Sequence, residues 1–258
     1  MILVLCSAGH VAVAARAAAE RLREPSVLVD PAVTRDLFKV ARGCRAIVYA
    51  PEPRLLDVAA GEGATSAGIR DVVRAAHAPG VERVVLVASA QPSREDREGR
   101  EQERVLEEDG VPFTIVRSAP LLDELSDATN LHTARSVWLP RGRSVELATR
   151  GALTLTIREA LYRDDLCGET VFVPAMRMDV VEAMRRAAAI AGAAVKVHAT
   201  APGVSSAMRR LNSWTDRRAS LDIELLCDRL ACVPASPADR RPRPTPLAAE
   251  PAPRGETA

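Results

Sequence analysis

The 258-residue chain lacks several features that would place it in a class at once. It has no apolar run near the roughly 20 residues of a membrane span, so we expect no transmembrane segment. A formal net charge of +1 gives no support to a nucleic-acid or strongly anionic partner. No basic segment and no cleavage site precede the first apolar run, so we expect a cytoplasmic protein without a secretory signal.

Cysteine motifs are missing as well. No Cys-x-x-Cys pair occurs and no cysteine–histidine cluster has zinc spacing, so we expect no metal site. In a reducing compartment the five cysteines are expected to be small buried hydrophobic residues, and a redox pair of the last two is the less favoured alternative. They are Cys6, Cys44, Cys167, Cys227 and Cys232.

Strand and helix patterns alternate through the first half of the chain. Strands separated by helices pair in parallel with right-handed crossovers. The fold class predicted is therefore α/β, a Rossmann-like doubly wound parallel sheet with a small C-terminal α/β lobe and a disordered tail. The strands are predicted at 2–5, 27–29, 45–50, 81–88 and 113–117, and the helices at 11–22, 34–41, 66–78 and 94–109.

The pattern is weaker after residue 125. Seven of the last 25 residues are proline and apolar side chains nearly vanish, which predicts disorder there. We predict a core at 1–125, a C-terminal lobe at 126–233 that completes the domain, and a tail at 234–258. Helices are predicted at 150–162, 179–191, 205–211 and 221–230, and strands at 169–173 and 195–198.

The first twelve residues form the pattern of a nucleotide-binding turn. The apolar run Ile2–Leu5 ends at small residues and an alanine-rich helical stretch follows, so the helix N-terminus offers free N–H groups to a pyrophosphate. Of the usual glycines only Gly9 remains, since Cys6 and Ala12 occupy the first and last positions. Asp30 closes the next apolar run about twenty residues on, where a ribose-binding acid is expected. The alternative is that Gly9 only eases a strand-to-helix turn.

Three segments in this order resemble the atypical, extended-like branch of the short-chain dehydrogenase/reductase superfamily, and its NmrA-like members in particular. They are the opening Ile-Leu-Val with Gly9-His-Val, the strand Val81-Glu-Arg-Val-Val-Leu-Val-Ala-Ser-Ala90, and Glu101-x-Glu103 followed by Gly110-Val-Pro-Phe-Thr-Ile-Val-Arg117-Ser-Ala-Pro120. The last segment is similar to the glutamate-bearing helix and the strand ending in Arg-Pro of that family. The likeness covers residues 1–125, and more loosely Cys167–Pro174.

The resemblance implies an NAD or NADP cofactor held at the carboxyl ends of the strands. Asp30 would accept hydrogen bonds from the adenine-ribose diol and repel a 2′-phosphate, which favours NAD, although Arg35 nearby is placed to reach a phosphate. The hydroxyl of Ser7 would donate to a phosphate. The alternative for Asp30 is an ordinary turn acid before Pro31. The residues expected at the cofactor are Ser7, Ala8, Gly9, His10, Val11, Asp30, Ala50, Ser89 and Ala119.

The family's catalytic Tyr-x-x-x-Lys pair is absent. Its tyrosine and lysine would fall at Glu95 and Gly99, and neither Tyr49 nor Tyr162 is followed by lysine four residues later. No catalytic residue is therefore assigned. The first hypothesis is an oxidoreductase that transfers hydride directly to a stacked small-molecule acceptor. The second is a non-catalytic, dinucleotide-sensing or partner-binding protein, and the third is a structural remnant that binds no nucleotide. Self-association is left open.

Overall fold

The computed structural model describes residues 1–34, 36–51, 66–90, 97–125 and 136–200. The strands are β1 (Ile2–Leu5), β2 (Ser26–Val29), β3 (Ala46–Tyr49), β4 (Arg83–Ser89), β5 (Phe113–Ser118), β6 (Ser136–Pro140), β7 (Ser144–Ala148), β8 (Thr170–Phe172), β9 (Ala175–Asp179) and β10 (Lys196–Thr200). The helices are α1 (His10–Arg21), α2 (Leu37–Ala41), α3 (Ser66–Ala76), α4 (Arg97–Asp109), α5 (Arg150–Tyr162) and α6 (Val180–Ile190).

Six strands form one parallel sheet in the order β2-β1-β3-β4-β5-β8. The usual dinucleotide fold has a third strand outside the second. Here the connection after β2 contains the five-residue α2 and returns to the other side of β1. Within the described residues, β2 is therefore an edge of the sheet, and the acid that follows it lies at that edge.

Helices cover both faces of the sheet, as a doubly wound fold requires. Alternate strand residues face opposite sides, so Ile2 and Val4 pack with α1 and α5, whereas Leu3 and Leu5 pack with α2, α3 and α4. Most residues of β1, β3, β4 and β5 are buried, which explains the continuous apolar runs of these strands, whereas no residue of the edge strand β2 is buried. The predicted Rossmann-like parallel sheet is confirmed.

A second layer of two small sheets lies in the later part of the chain. The strand β10 pairs with β6 in parallel, β7 pairs with β9 antiparallel, and both pack against α6. The sequence pattern missed β6, β7 and β9, because these short strands are only partly buried and lack a long apolar run. The boundary at 125/126 stays a prediction; α5 and β8, which follow it, lie with the six-stranded sheet.

Two local predictions differ from the structure. The helix predicted at 34–41 begins only at Leu37, because the Asp36 side chain accepts the Lys39 N–H at 3.0 Å and so caps it there. Cys6 and Cys44 are buried as expected, but Cys167 is exposed in a turn. Arg35, Glu95, Cys227, Cys232, the helices predicted at 205–211 and 221–230, and the tail lie outside the described residues. No helix in the described part of the chain is long and apolar enough to cross a membrane.

Candidate dinucleotide site

The turn between β1 and α1 has the geometry expected for anion binding. Gly9 caps α1 with extended backbone, and its carbonyl accepts the Val13 N–H at 3.1 Å. The first turn of α1 contains no acidic side chain, and its N-cap residue provides no side-chain cap. His10 begins the helix and is half-buried, whereas Ala8 is exposed and the Val11 side chain belongs to the core. The positive end of the helix dipole therefore faces this turn, and the nearest acid that the hydrogen bonds show is Asp30, on the neighbouring strand.

Cys6 fits the turn without a left-handed backbone. Among the described residues other than glycine, only Arg23 has a positive φ angle, so a Cβ at position 6 causes no strain of that kind. The thiol is buried, and the backbone N–H of Ala12 points to its sulfur. Burial, with the nearby Asp30 carboxylate, raises the pKa of Cys6 to about 12, so the thiol is neutral at physiological pH. Its sulfur takes up one of the N–H groups that a phosphate would otherwise find.

Asp30 is fixed at the carboxyl end of β2, next to the same turn. Its Oδ1 accepts the Ala32 N–H at 2.9 Å, and its Oδ2 accepts the Ser7 hydroxyl at 3.3 Å. The Asp30 carbonyl accepts the Thr34 hydroxyl at 2.9 Å, which holds the chain in a turn rather than a helix. The structure thus brings together two residues that are 23 positions apart in the sequence and that were both predicted at the site.

The remaining predicted positions follow the same edge of the sheet. The Ala50 N–H donates to the Leu5 carbonyl at 2.9 Å, so the end of β3 lies beside the end of β1. Ala50 and Ala119 are buried and Ser89 is half-buried. Small side chains at these strand ends leave room along the crevice where parallel sheets bind ligands.

A partly buried ion pair joins α4 to β5. The Nη2 atom of Arg117 lies 2.5 and 2.6 Å from the two carboxylate oxygens of Glu103, and its Nη1 donates to the Ser89 carbonyl at 3.2 Å. Arg117 therefore ties α4 to the backbone at a predicted site residue. The mixed charges at helical spacing around Glu103 predict that it lies on an exposed helix face. Only the family resemblance pointed to the segment that contains Glu103 and Arg117.

Neither tyrosine of the chain is exposed at the carboxyl ends of the strands. Tyr49 is buried, and its hydroxyl oxygen is 2.7 Å from where a Cβ on Gly68 in the first turn of α3 would be, so the side chain is enclosed against that helix. Tyr162 is exposed in the last turn of α5, where neighbouring carbonyls contact Arg83 from the amino end of β4. Tyrosine catalysis is therefore not supported by either side chain.

Comparisons with known proteins show similarity in structure without similarity in sequence. No family model matches the chain, and no curated protein matches it. Triphenylmethane reductase from Citrobacter sp., complexed with NADP(H), has a TM-score of 0.59 at 14% identity over 90% of each chain. NADPH-dependent quinone oxidoreductase from Escherichia coli, complexed with NADPH, has 0.56 at 15% identity over 89% of this chain and 90% of that one.

A third structure, dTDP-4-dehydrorhamnose reductase from Bacillus anthracis in complex with NADP, has a TM-score of 0.61 at 12% identity, covering 86% of this chain and 98% of that one. The chain has the fold of these NAD(P)-dependent reductases. The Rossmann-like fold that the resemblance implied is therefore confirmed. At such identities the likeness does not extend to substrate or activity.

Proposed function

We propose that the chain binds a nicotinamide dinucleotide across the carboxyl ends of β1 to β5, with the pyrophosphate at the N-terminus of α1 and the adenine ribose at Asp30. The observation that carries this proposal is the hydrogen bond between Ser7 and Asp30, because it brings the ribose acid into contact with the phosphate turn. Both groups have the chemistry of the ligand they would meet: N–H donors for the phosphates and a carboxylate for the diol.

The residues present suit the adenine ribose of a dinucleotide well and its pyrophosphate less well. The first turn of α1 has no acid that would repel a pyrophosphate. The buried sulfur of Cys6, however, takes the Ala12 N–H, and a glycine at this position would let the cofactor approach the backbone more closely. Dinucleotide binding is therefore retained with reduced affinity in this proposal.

The charge of Asp30 favours NAD over NADP. A 2′-phosphate next to a fixed carboxylate meets like-charge repulsion, whereas a free diol donates to it. The reductases from Citrobacter sp. and Bacillus anthracis are in complex with NADP(H) and NADP, so the preference proposed here differs from theirs. The proposed preference for NAD rests on the Asp30 carboxylate of this chain.

The reaction class that agrees best with the fold is reduction of a small acceptor. When bound, a reduced nicotinamide would supply the hydride. The chain would position the acceptor, with Ser89 and Ala119 lining the crevice beyond Ala50. No tyrosine would serve as acid. The burial of Tyr49 and the remote position of Tyr162 also favour a second candidate function, a dinucleotide-sensing protein without catalysis. NADH consumption with carbonyl, quinone and azo-dye acceptors separates the two.

Titration with NAD, NADH, NADP and NADPH, followed by calorimetry and thermal unfolding, tests the proposal. A ligand at one hundred times its dissociation constant is expected to stabilise the native state by about 2.7 kcal/mol. Asp30→Asn keeps an acceptor for the Ala32 N–H and removes the charge. We therefore expect NAD to bind about tenfold more weakly, and the affinity for NADP to stay the same or increase. Asp165→Asn, at the far end of α5, is the control. Absence of binding by all four nucleotides at millimolar concentration would refute the proposal.

Replacing Cys6 by glycine is expected to raise the affinity for the dinucleotide about tenfold. The change frees the Ala12 N–H for phosphate and removes the Cβ from the turn. It also removes a buried side chain, so thermal unfolding of the free protein should shift down while the ligand-induced shift grows. Cys6→Ala, which removes only the sulfur, separates the two causes. Unchanged affinity in both variants would show that position 6 does not limit binding.

A further inference from the structure

The carboxylate of Asp30 is oriented by two donors on opposite sides. The Ala32 N–H, from its own turn, holds Oδ1 at 2.9 Å, and the Ser7 hydroxyl, from the turn after β1, holds Oδ2 at 3.3 Å. Each oxygen keeps a further acceptor site. A carboxylate fixed in this way presents its remaining lone pairs in one direction, which lowers the entropy cost of accepting two hydroxyl groups from a ligand.

The Ser7 hydroxyl has a single hydrogen, so it donates to one acceptor at a time. In this structure its acceptor is the Asp30 carboxylate, at 3.3 Å. The expectation that Ser7 donates to a phosphate stays a prediction, and the contact with Asp30 supplies an alternative role for the hydroxyl. The pair is half-buried and lies next to the neutral Cys6 thiol.

We propose that Ser7 is a specificity-determining positioning residue, which sets the choice between a free and a phosphorylated adenine ribose by orienting the Asp30 carboxylate. The inference rests on the proposed dinucleotide function and adds to it. Ser7 acts through Asp30 and not through the pyrophosphate. Its removal should therefore change the ratio of NAD to NADP affinity rather than the affinity for both.

Calorimetric titration of NAD and NADP into the wild-type chain, Ser7→Ala and Ser7→Thr tests this inference. For Ser7→Ala we expect NAD to bind about tenfold more weakly and NADP to stay within about twofold. Ser7→Thr keeps the hydroxyl and should restore most of the ratio. Ser144→Ala is the matched control, because Ser144 accepts a hydrogen bond from Arg177 in the second layer, away from this edge of the sheet.

A double variant with Asp30→Asn isolates the route of the effect. If Ser7 acts through the charged carboxylate, Ser7→Ala should cause no further change in the ratio when residue 30 is already asparagine. Equal weakening of NAD and NADP by Ser7→Ala would overturn the inference and identify Ser7 as a phosphate donor. Unchanged affinities would overturn it as well. If the wild-type chain binds neither nucleotide, the dinucleotide proposal itself fails, and that result is distinct from both.

Discussion

Replacing Arg83 by methionine is expected to lower the free energy of unfolding by about 3 kcal/mol. Arg83 is buried at the start of β4, and its Nη1 donates to the carbonyls of Ala160 and Arg163 at 3.0 and 2.9 Å. Its Nη2 pairs with the Asp164 carboxylate. Methionine fills a similar volume but removes the donor to the Ala160 carbonyl and leaves the Arg163 carbonyl with the Leu166 N–H at 3.4 Å.

The size of the effect follows from the end of α5, which Arg83 caps. The last turn of this helix has no basic residue of its own, so its free carbonyls depend on side chains from other elements. Arg45 supplies a second contact, from its Nη1 to the Leu161 carbonyl at 3.3 Å. Loss of the donor to the buried Ala160 carbonyl costs about 1 to 3 kcal/mol, and loss of the charged donor to the partly buried Arg163 carbonyl adds to this cost, which gives the expected value.

Chemical denaturation of Arg83→Met measures the loss, and two further variants test its cause. Arg186→Met removes an exposed arginine that pairs with Glu182 four residues earlier on α6, and should change stability by no more than about 0.5 kcal/mol. Asp164→Asn should also cost little, because the Asp164 side chain is 93% exposed. If Asp164→Asn costs as much as Arg83→Met, the ion pair and not the helix cap carries the stability.

The sequence predicted those parts of the fold that depend on local apolar pattern. The buried strands β1, β3, β4 and β5 were found because continuous apolar runs mark strands covered on both faces. Helical spacing of apolar residues likewise predicts the inward faces of α3 and α6, and the structure buries the residues concerned: Ile69, Val72 and Val73 on α3, and Val180, Val181, Met184 and Ala188 on α6.

The contacts that define the candidate site depend on sheet order, which no local pattern contains. Ser7 and Asp30 meet because β1 and β2 are neighbours in the sheet, and the apolar pattern that predicts each strand does not predict a hydrogen bond between the residues that follow them. Cys6 is a second example: the sequence shows it in the place of the first glycine, and the structure adds that its side chain packs into the core.

Glu103 is a charged residue whose surroundings differ from those that the sequence predicts. It lies in the run Arg94–Arg104, whose mixed signs at helical spacing predict an exposed face with ion pairs along the helix. Such a pair exists between Arg104 and Glu108 at 3.5 Å, but Glu103 faces the sheet and meets Arg117. Whether a charged helix residue faces solvent or an internal partner depends on what the neighbouring strand presents, and here β5 presents an arginine.

Replacing Glu103 by leucine is therefore expected to lower the free energy of unfolding by about 2 to 3 kcal/mol. Both side chains of the pair are only 16% exposed, so removal of the carboxylate leaves the Arg117 guanidinium enclosed without its closest counter-charge. The remaining contact, to the Ser89 carbonyl at 3.2 Å, involves a neutral acceptor. Urea unfolding of the variant measures the loss.

A double-mutant cycle separates the pair from simple loss of packing. Arg117→Leu alone should cost a similar amount, because it removes the guanidinium that pairs with Glu103 and the donor to the Ser89 carbonyl. The double variant Glu103→Leu/Arg117→Leu should cost at least about 1.5 kcal/mol less than the sum of the two single variants, because no charge is then left enclosed. Additive costs would mean that the two side chains do not stabilise each other. Because Arg117 holds the backbone at Ser89, the same variants should also weaken dinucleotide binding, and Arg186→Met should leave it unchanged.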